Sequence, residues 1–179
     1  MRQQAGVLPE DLAPIVDLTA PLLDRIERGE VRPSVATLLK LSQYFNEPME
    51  KFFSEKLLDK NLQVVRAGEQ EKTDRKRSSG AIATSYQFRS LAPNLKDKRM
   101  QPFFIELTPG LKEELPTLSH DGEEFLYVLH GKVEFHADKE VIELREGDSI
   151  YFHSNIPHAL YAKGKAAAQC VVVVYPEKR

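Results

Sequence analysis

The chain is 179 residues long, 41% hydrophobic and 29% charged, with a formal net charge of −2 at pH 7. That composition excludes a disordered or fibrous chain, and the near-neutral balance excludes a broad attraction to nucleic acid or anionic membrane, so any polyanion binding must come from a local patch. A single cysteine, Cys170, excludes an intramolecular disulfide and points to a reducing, cytoplasmic setting. Met1 to Gly6 lacks the apolar core of a signal peptide, and the longest apolar stretch, Ala166 to Tyr175, is broken by Gln169 and is half a membrane span long.

Residues 8 to 60 are predicted as short helices. Pro9 suits the first turn of a helix ending near Val16, although Pro14 inside it costs roughly 3 kcal/mol unless the helix bends. Thr19 caps a second helix running to Arg28, with Leu22, Leu23 and Ile26 on one face and Gly29 closing it in the left-handed conformation. Pro33-Ser34 starts a third, with Leu38, Leu39, Leu41 and Phe45 at helical spacing, and Asn46-Glu-Pro48 stops it. Met49 to Phe53 begins another. From Arg66 to Gly80 there is almost nothing apolar, as expected of a linker or a solvated strand entrance.

Beyond that point short strands take over: Glu124 to Leu129, Lys132 to Ala137, Glu140 to Leu144, Ser149 to Phe152, His158 to Ala162 and Ala168 to Tyr175. Turn residues such as Gly131, Asp138-Lys139 and Gly147-Asp148 separate them. Strands every eight to twelve residues predict a sandwich or barrel. The fold class is therefore α+β in two domains: an all-α module over 1–60, a linker or strand entrance over 61–80, and an all-β barrel over 81–179.

The run Leu22-Leu-Asp-Arg-Ile-Glu-Arg-Gly-Glu-Val-Arg-Pro-Ser-Val-Ala-Thr-Leu-Leu-Lys-Leu41 resembles the helix-turn-helix domain of phage-repressor-like (XRE family) regulators. The resemblance implies a DNA-binding module that reads operator DNA as a homodimer, with Thr19, Leu22, Arg25, Arg28 and Arg32 as its DNA-facing residues. Two departures matter. About ten residues of a first helix precede the equivalent of Gly6 in that family, whereas here Met1 starts the chain, so part of the leucine helix is expected to be uncovered. The recognition helix also carries Asp24, which repels phosphate, and Leu22, which offers no hydrogen bond to a base edge. Residues 1 to 60 hold eight basic and ten acidic side chains, a net −2, against the usual basic footprint of a DNA reader. Arg75-Lys76-Arg77 is a further basic cluster, read either as a phosphate contact or as a solvated charge run.

His120-Asp-Gly-Glu-Glu124-Phe-Leu-Tyr-Val-Leu-His-Gly131 and Gly147-Asp-Ser-Ile-Tyr-Phe-His-Ser-Asn-Ile-Pro-His158 resemble the two motifs of the cupin family, a double-stranded β-helix barrel. The segment from Leu91 to Gly110 resembles the opening strands of that class. Leu118 stands where the first motif usually has another histidine. His120, Glu124 and His158 remain as a two-histidine, one-carboxylate set suited to Fe, Mn, Zn or Ni, or else as a metal-free polar cluster. Period-two alternation turns Glu124 inward and Glu123 outward. His130, His136 and His153 are not expected to be ligands. Tyr127, Phe152 and Tyr161 either line a ligand pocket or fill the core. Cys170 reads as an inert core thiol.

Together the two resemblances imply a transcriptional regulator whose helical part binds DNA and whose barrel senses a small molecule, with or without a divalent metal. The alternative is a metal-dependent cupin enzyme, a non-haem iron oxygenase, epoxidase or isomerase, with a vestigial helical domain.

Overall fold

In the computed structural model, which describes residues 1–53, 57–67, 86–110 and 119–177, the helical half opens on α1 (Pro9–Leu12). The chain does not continue this helix through Pro14. It tightens into a 3-10 turn over Ala13–Val16 with Pro14 in its first turn, where a missing N–H costs nothing, and Asp17 (φ 54°) ends it. The bend places Leu12, Ala13 and Val16 inside, each at most 1% exposed.

Thr19 caps α2 (Ala20–Glu27), its Oγ1 accepting from the Leu22 N–H, and Gly29 follows the helix at φ 74°. Ser34 caps α3 (Val35–Phe45) by accepting from the Thr37 N–H at 2.9 Å. The leucine-rich face of α3 buries Leu38, Leu39 and Leu41, and Asn46 closes the helix in the left-handed region. A 3-10 turn, Met49–Phe52, replaces the fourth predicted helix.

Among the described residues the β half has eight strands: β1 (Tyr86–Ser90), β2 (Gln101–Leu107), β3 (Glu123–His130), β4 (Lys132–Ala137), β5 (Glu140–Arg145), β6 (Ser149–His153), β7 (His158–Ala162) and β8 (Ala168–Tyr175). They form a five-stranded sheet, β1-β2-β8-β3-β6, and a three-stranded sheet, β5-β4-β7, with every pairing antiparallel. Alternation sends Phe103, Ile105, Leu126, Val128, Val172 and Val174 from one sheet against Val133, Phe135 and Leu144 from the other. Cys170 is fully buried in β8, and burial pushes its thiol up to about 12, as an inert core thiol requires.

The two halves are joined through side chains as well as through the backbone. Phe53 meets Phe88 and Phe103 edge-on at 6.3 and 5.7 Å. Glu50, 2% exposed at the end of the helical half, accepts from Lys98 and from Gln101 Nε2 (3.1 Å), which belong to the β half. Burial pushes the Lys98 ammonium down, against the bond and charge of Glu50. Within residues 57–67 two positions are tied to the β half: Leu58 N–H donates to the Asn94 carbonyl (2.7 Å), and Gln63 Oε1 accepts from the N–H groups of Asn94 and Leu95. The rest of the predicted linker, with Arg75-Lys76-Arg77, lies outside the described residues, as does Leu118.

Candidate metal centre and DNA-facing helix

Glu124 is the second residue of β3, and alternation points it into the barrel with Leu126 and Val128. Four residues earlier, His120 is fixed by its backbone, whose N–H donates to the Ser154 carbonyl at 2.9 Å. Between them Gly122 sits at φ 114°, where an added Cβ would stand 2.2 Å from the Tyr175 carbonyl oxygen, so the loop holding both ligands has room only for glycine. His158 opens β7 on the facing sheet. The nitrogen and oxygen atoms that His120, Glu124 and His158 offer all lie within 4.8 Å of one another, and His120 and Glu124 are buried at 6% and 7% exposure.

The hydrogen bonds around the rings decide which atoms are free. His120 Nδ1–H donates to the Asp121 carbonyl (3.2 Å) and His158 Nδ1–H donates to the Ile156 carbonyl (2.9 Å). A carbonyl only accepts, so each Nδ1 carries the proton and each Nε2 turns inward. There His120 Nε2 stands 2.6 Å and His158 Nε2 3.4 Å from the same oxygen, Glu124 Oε1. Three lone-pair donors converging at these distances require a proton or a cation between them. A backbone carbonyl on the far nitrogen is also the arrangement that orients histidine ligands in metal sites. The donor set, its burial and its geometry therefore fit a divalent metal.

Electrostatics agree. Burial pushes the Glu124 carboxyl up, but the hydrogen bonds and charges of His120 and His158 more than reverse it, to about 2. Burial pushes His158 down, and the hydrogen bond and charge of Glu124 reverse that, leaving it above its ordinary value.

The other candidates fall into two groups. Phe152 faces inward and touches the His158 ring edge-on at 5.0 Å, walling the cluster. Tyr127 is not brought to the site: it is 40% exposed on the outer face of β3, because odd positions there point away from Glu124. Tyr161 likewise lies on the outer side of β7, beside the His136 ring at 5.0 Å. Glu123 faces outward and accepts from the Tyr151 hydroxyl. His130 pairs with Glu146, His136 with Glu134, and His153 lies exposed near Glu123, all away from the cluster. Sequence reasoning missed Gln101. It is buried at 4% exposure on the same cross-strand row as Glu124, with Val174 between them, and only the strand order reveals this.

On α2, Thr19 and Arg28 are exposed and Arg25 is half-buried, while Leu22 packs partly into the core. Arg25 lies 3.7 Å from Glu30, and Arg28 pairs with Asp24 (3.1 Å) and Glu30 (3.3 Å). These are surface pairs of about 0–1 kcal/mol each, so a phosphate can compete for the guanidinium groups. Arg32 lies instead on a cavity of about 980 Å³ between the helices and residues 58–65, whose walls include Leu38, Leu41 and Phe45.

Residues 103–174 match the cupin domain family and residues 1–52 the helix-turn-helix family. The chain is 26% identical over 159 residues to the HTH-type transcriptional regulator PuuR of Escherichia coli (strain K12), covering 89% of this chain and 82% of that protein, and equally to PuuR of Shigella flexneri. Among solved structures, an HTH_3 family transcriptional regulator from Vibrio cholerae superposes with a TM-score of 0.58 at 20% identity, over 99% of this chain and 91% of that one. Hydroxypropylphosphonic acid epoxidase from S. wedmorenis superposes at 0.50 and 20% identity, over 97% and 92%. At these identities the two superpositions speak for the fold. Among the described residues no helix is long and apolar enough to cross a membrane.

Proposed function

From a chain that joins an N-terminal helix-turn-helix domain of the phage-repressor-like class to a C-terminal cupin domain, we infer a transcriptional regulator that binds DNA through its helices and senses a small molecule in its barrel. We assign residues 1–60 to the DNA-binding module, 61–80 to the join and 81–179 to the sensor. Thr19, Arg25 and Arg28 face the DNA from α2, with Thr19 and the arginines placed for phosphate rather than for base edges. The active form is a homodimer, since one reading helix per chain needs a partner to span two half-sites.

The observation that carries the sensor is the convergence of two inward Nε2 atoms on buried Glu124. His120, Glu124 and His158 would hold a divalent ion, with Phe152 walling the site. Two imidazoles and a carboxylate leave coordination positions open on such an ion for oxygen or nitrogen donors of an effector. Among the described residues the other buried acid is Glu50, which is committed to Lys98. Among the described residues no further His, Cys, Asp or Glu joins the cluster.

Occupancy can reach the helices by a short route. Glu124, Val174 and Gln101 form one inward row across β3, β8 and β2, about 10 Å from end to end, and Gln101 Nε2 donates to Glu50 of the helical half. An effector that shifts β3 thus bears on the contact that sets the helices against the barrel. The test is DNA affinity and metal content measured on one preparation. Sequence-specific binding that changes when the metal is removed supports the reading. Specific binding indifferent to metal removes the metal from it, and sequence-blind binding removes the regulator.

A further inference from the structure

The cavity of about 980 Å³ between the helices and residues 58–65 shares no residue with the metal centre. Protein interiors rarely leave voids larger than a water molecule, and this volume stands at the upper end of small-molecule sites, so it is more than slack in the packing. Both halves build it: α3 supplies Leu41 and Phe45, the join supplies Leu62 and Val64, and the β half supplies Phe88 and Asn94. A connection between domains is ordinarily polar. Here Leu62 and Val64 stand 71% and 55% exposed where they line the cavity, apolar surface that a ligand would take out of water.

The charged groups on the walls set the sign of the occupant. Arg2, Arg32, Lys60 and Arg89 line the cavity, against Glu27 as the one acid there among the described residues, so the walls carry an excess of three positive charges. Glu27 is already engaged, since Arg2 donates to both of its oxygens at 2.6 Å. Arg89 lies over the Phe104 ring, its guanidinium carbon 3.9 Å from the centroid, and its Nε is buried with no hydrogen-bond partner among the described residues. A buried cationic N–H without an acceptor is costly, and an anion that accepts from it relieves the cost. The excess of cations turns away a cationic ligand. The apolar walls turn away sugars and nucleotides, whose polar bodies would leave water uncompensated. An anionic head on an apolar body satisfies both.

We propose that the cavity between the two halves binds a carboxylate carried on an apolar body, such as a fatty acid, with its tail against α3 and the join and its head toward Arg32, Lys60 and Arg89. Such a ligand touches the helices, the join and the β half at once, so its occupancy bears on how the two halves are set. The site is independent of the metal centre, and it stands whether or not the chain reads DNA.

Isothermal titration of the full chain with dodecanoate tests this. It is run on Zn(II)-loaded protein and again after dialysis against a chelator, because an ion held by His120, Glu124 and His158 would itself attract a carboxylate. The expected result is a single saturable site with the same affinity in both preparations. Dodecanol and dodecyltrimethylammonium should each bind at least about 10-fold more weakly than dodecanoate. Arg32→Gln and Arg89→Gln should each weaken dodecanoate by about 10-fold, as expected for the loss of one charge-assisted hydrogen bond. Val31→Trp puts an indole into the cavity and should abolish binding. If that variant loses its circular dichroism signal through misfolding, Leu62→Asp, at an exposed position, sets a like charge against the ligand and is judged by the same outcome. The proposal is overturned by the lack of a saturable site, by equal binding of the alcohol or the ammonium, or by binding that departs with the metal. Charge and cavity variants that all bind as tightly as the wild type overturn it too.

Discussion

Removing the ammonium from the contact between the two halves should be the most damaging small change in this chain. Glu50 and Lys98 side chains are 3% and 7% exposed, and the carboxylate has two donors, Lys98 and Gln101 Nε2. Lys98→Met keeps most of the side-chain volume but leaves a buried carboxylate with one neutral donor. Breaking a buried pair from one side costs about 3–5 kcal/mol. For a chain of this size each kcal/mol lowers the melting temperature by about 2–4 °C, so a fall of roughly 6–20 °C is expected. A second substitution should rescue the first. Glu50→Gln in the Lys98→Met background removes the uncompensated charge, and its amide can donate to Gln101 Oε1, which is buried without a partner. The double variant should return to within about 1 kcal/mol of the wild type. Denaturant unfolding of the four proteins measures the cycle. A Lys98→Met cost below about 1 kcal/mol, or a double variant no better than the single, would refute the claim that a desolvated ion pair fastens the helices to the barrel.

Further outcomes follow from the centre and its supports. His158→Ala and Glu124→Gln should each weaken uptake of Zn(II) or Fe(II) by about 100-fold or more, read as metal per chain after dialysis. Without metal, the Glu124 contribution to stability is present above its ordinary value of 4.5 and lost as pH falls toward about 2; the His158 contribution is present below 6.5 and lost as pH rises through its raised value. Urea midpoints of the metal-free chain should therefore carry this contribution most fully between about 4.5 and 6.5, and added metal should restore the high-pH side, where it replaces the proton. Gly122→Ala meets the Tyr175 carbonyl at 2.2 Å and should lower both melting temperature and metal uptake. Gly29→Ala meets nothing within 4 Å and should cost only the about 1–2 kcal/mol of its left-handed backbone.

Much of this architecture is legible in local sequence signals, because those signals act locally. Thr19, Ser34 and Gly29 start and stop helices by contacts within four residues, and β3, β4 and β7 follow the alternation and turn residues that predict them. Pro14 is legible as a break but not as a 3-10 turn, since the choice depends on how Ala13 and Val16 pack. Alternation separates Glu124 from Glu123 correctly, and applied to the same strand it places Tyr127 outside with Phe125. Aromatic character leaves Tyr127 and Tyr161 open to a pocket or the core, and the strand faces put both on the outside. The Glu50–Lys98–Gln101 contact is invisible in sequence. Its members lie about fifty positions apart and carry no motif, and only the docking of the two halves brings them together.

As a regulator, this chain must read DNA. Fluorescence anisotropy of the intact protein against labelled DNA from the region upstream of its own coding sequence tests it most directly, with scrambled DNA as competitor at low and moderate salt. Binding that survives moderate salt and resists the scrambled competitor is the predicted result, with Arg28→Ala weakening it and flattening its salt dependence. Binding that the scrambled DNA displaces equally, or that vanishes as salt rises, would contradict the claim and leave the barrel as the business end of the protein.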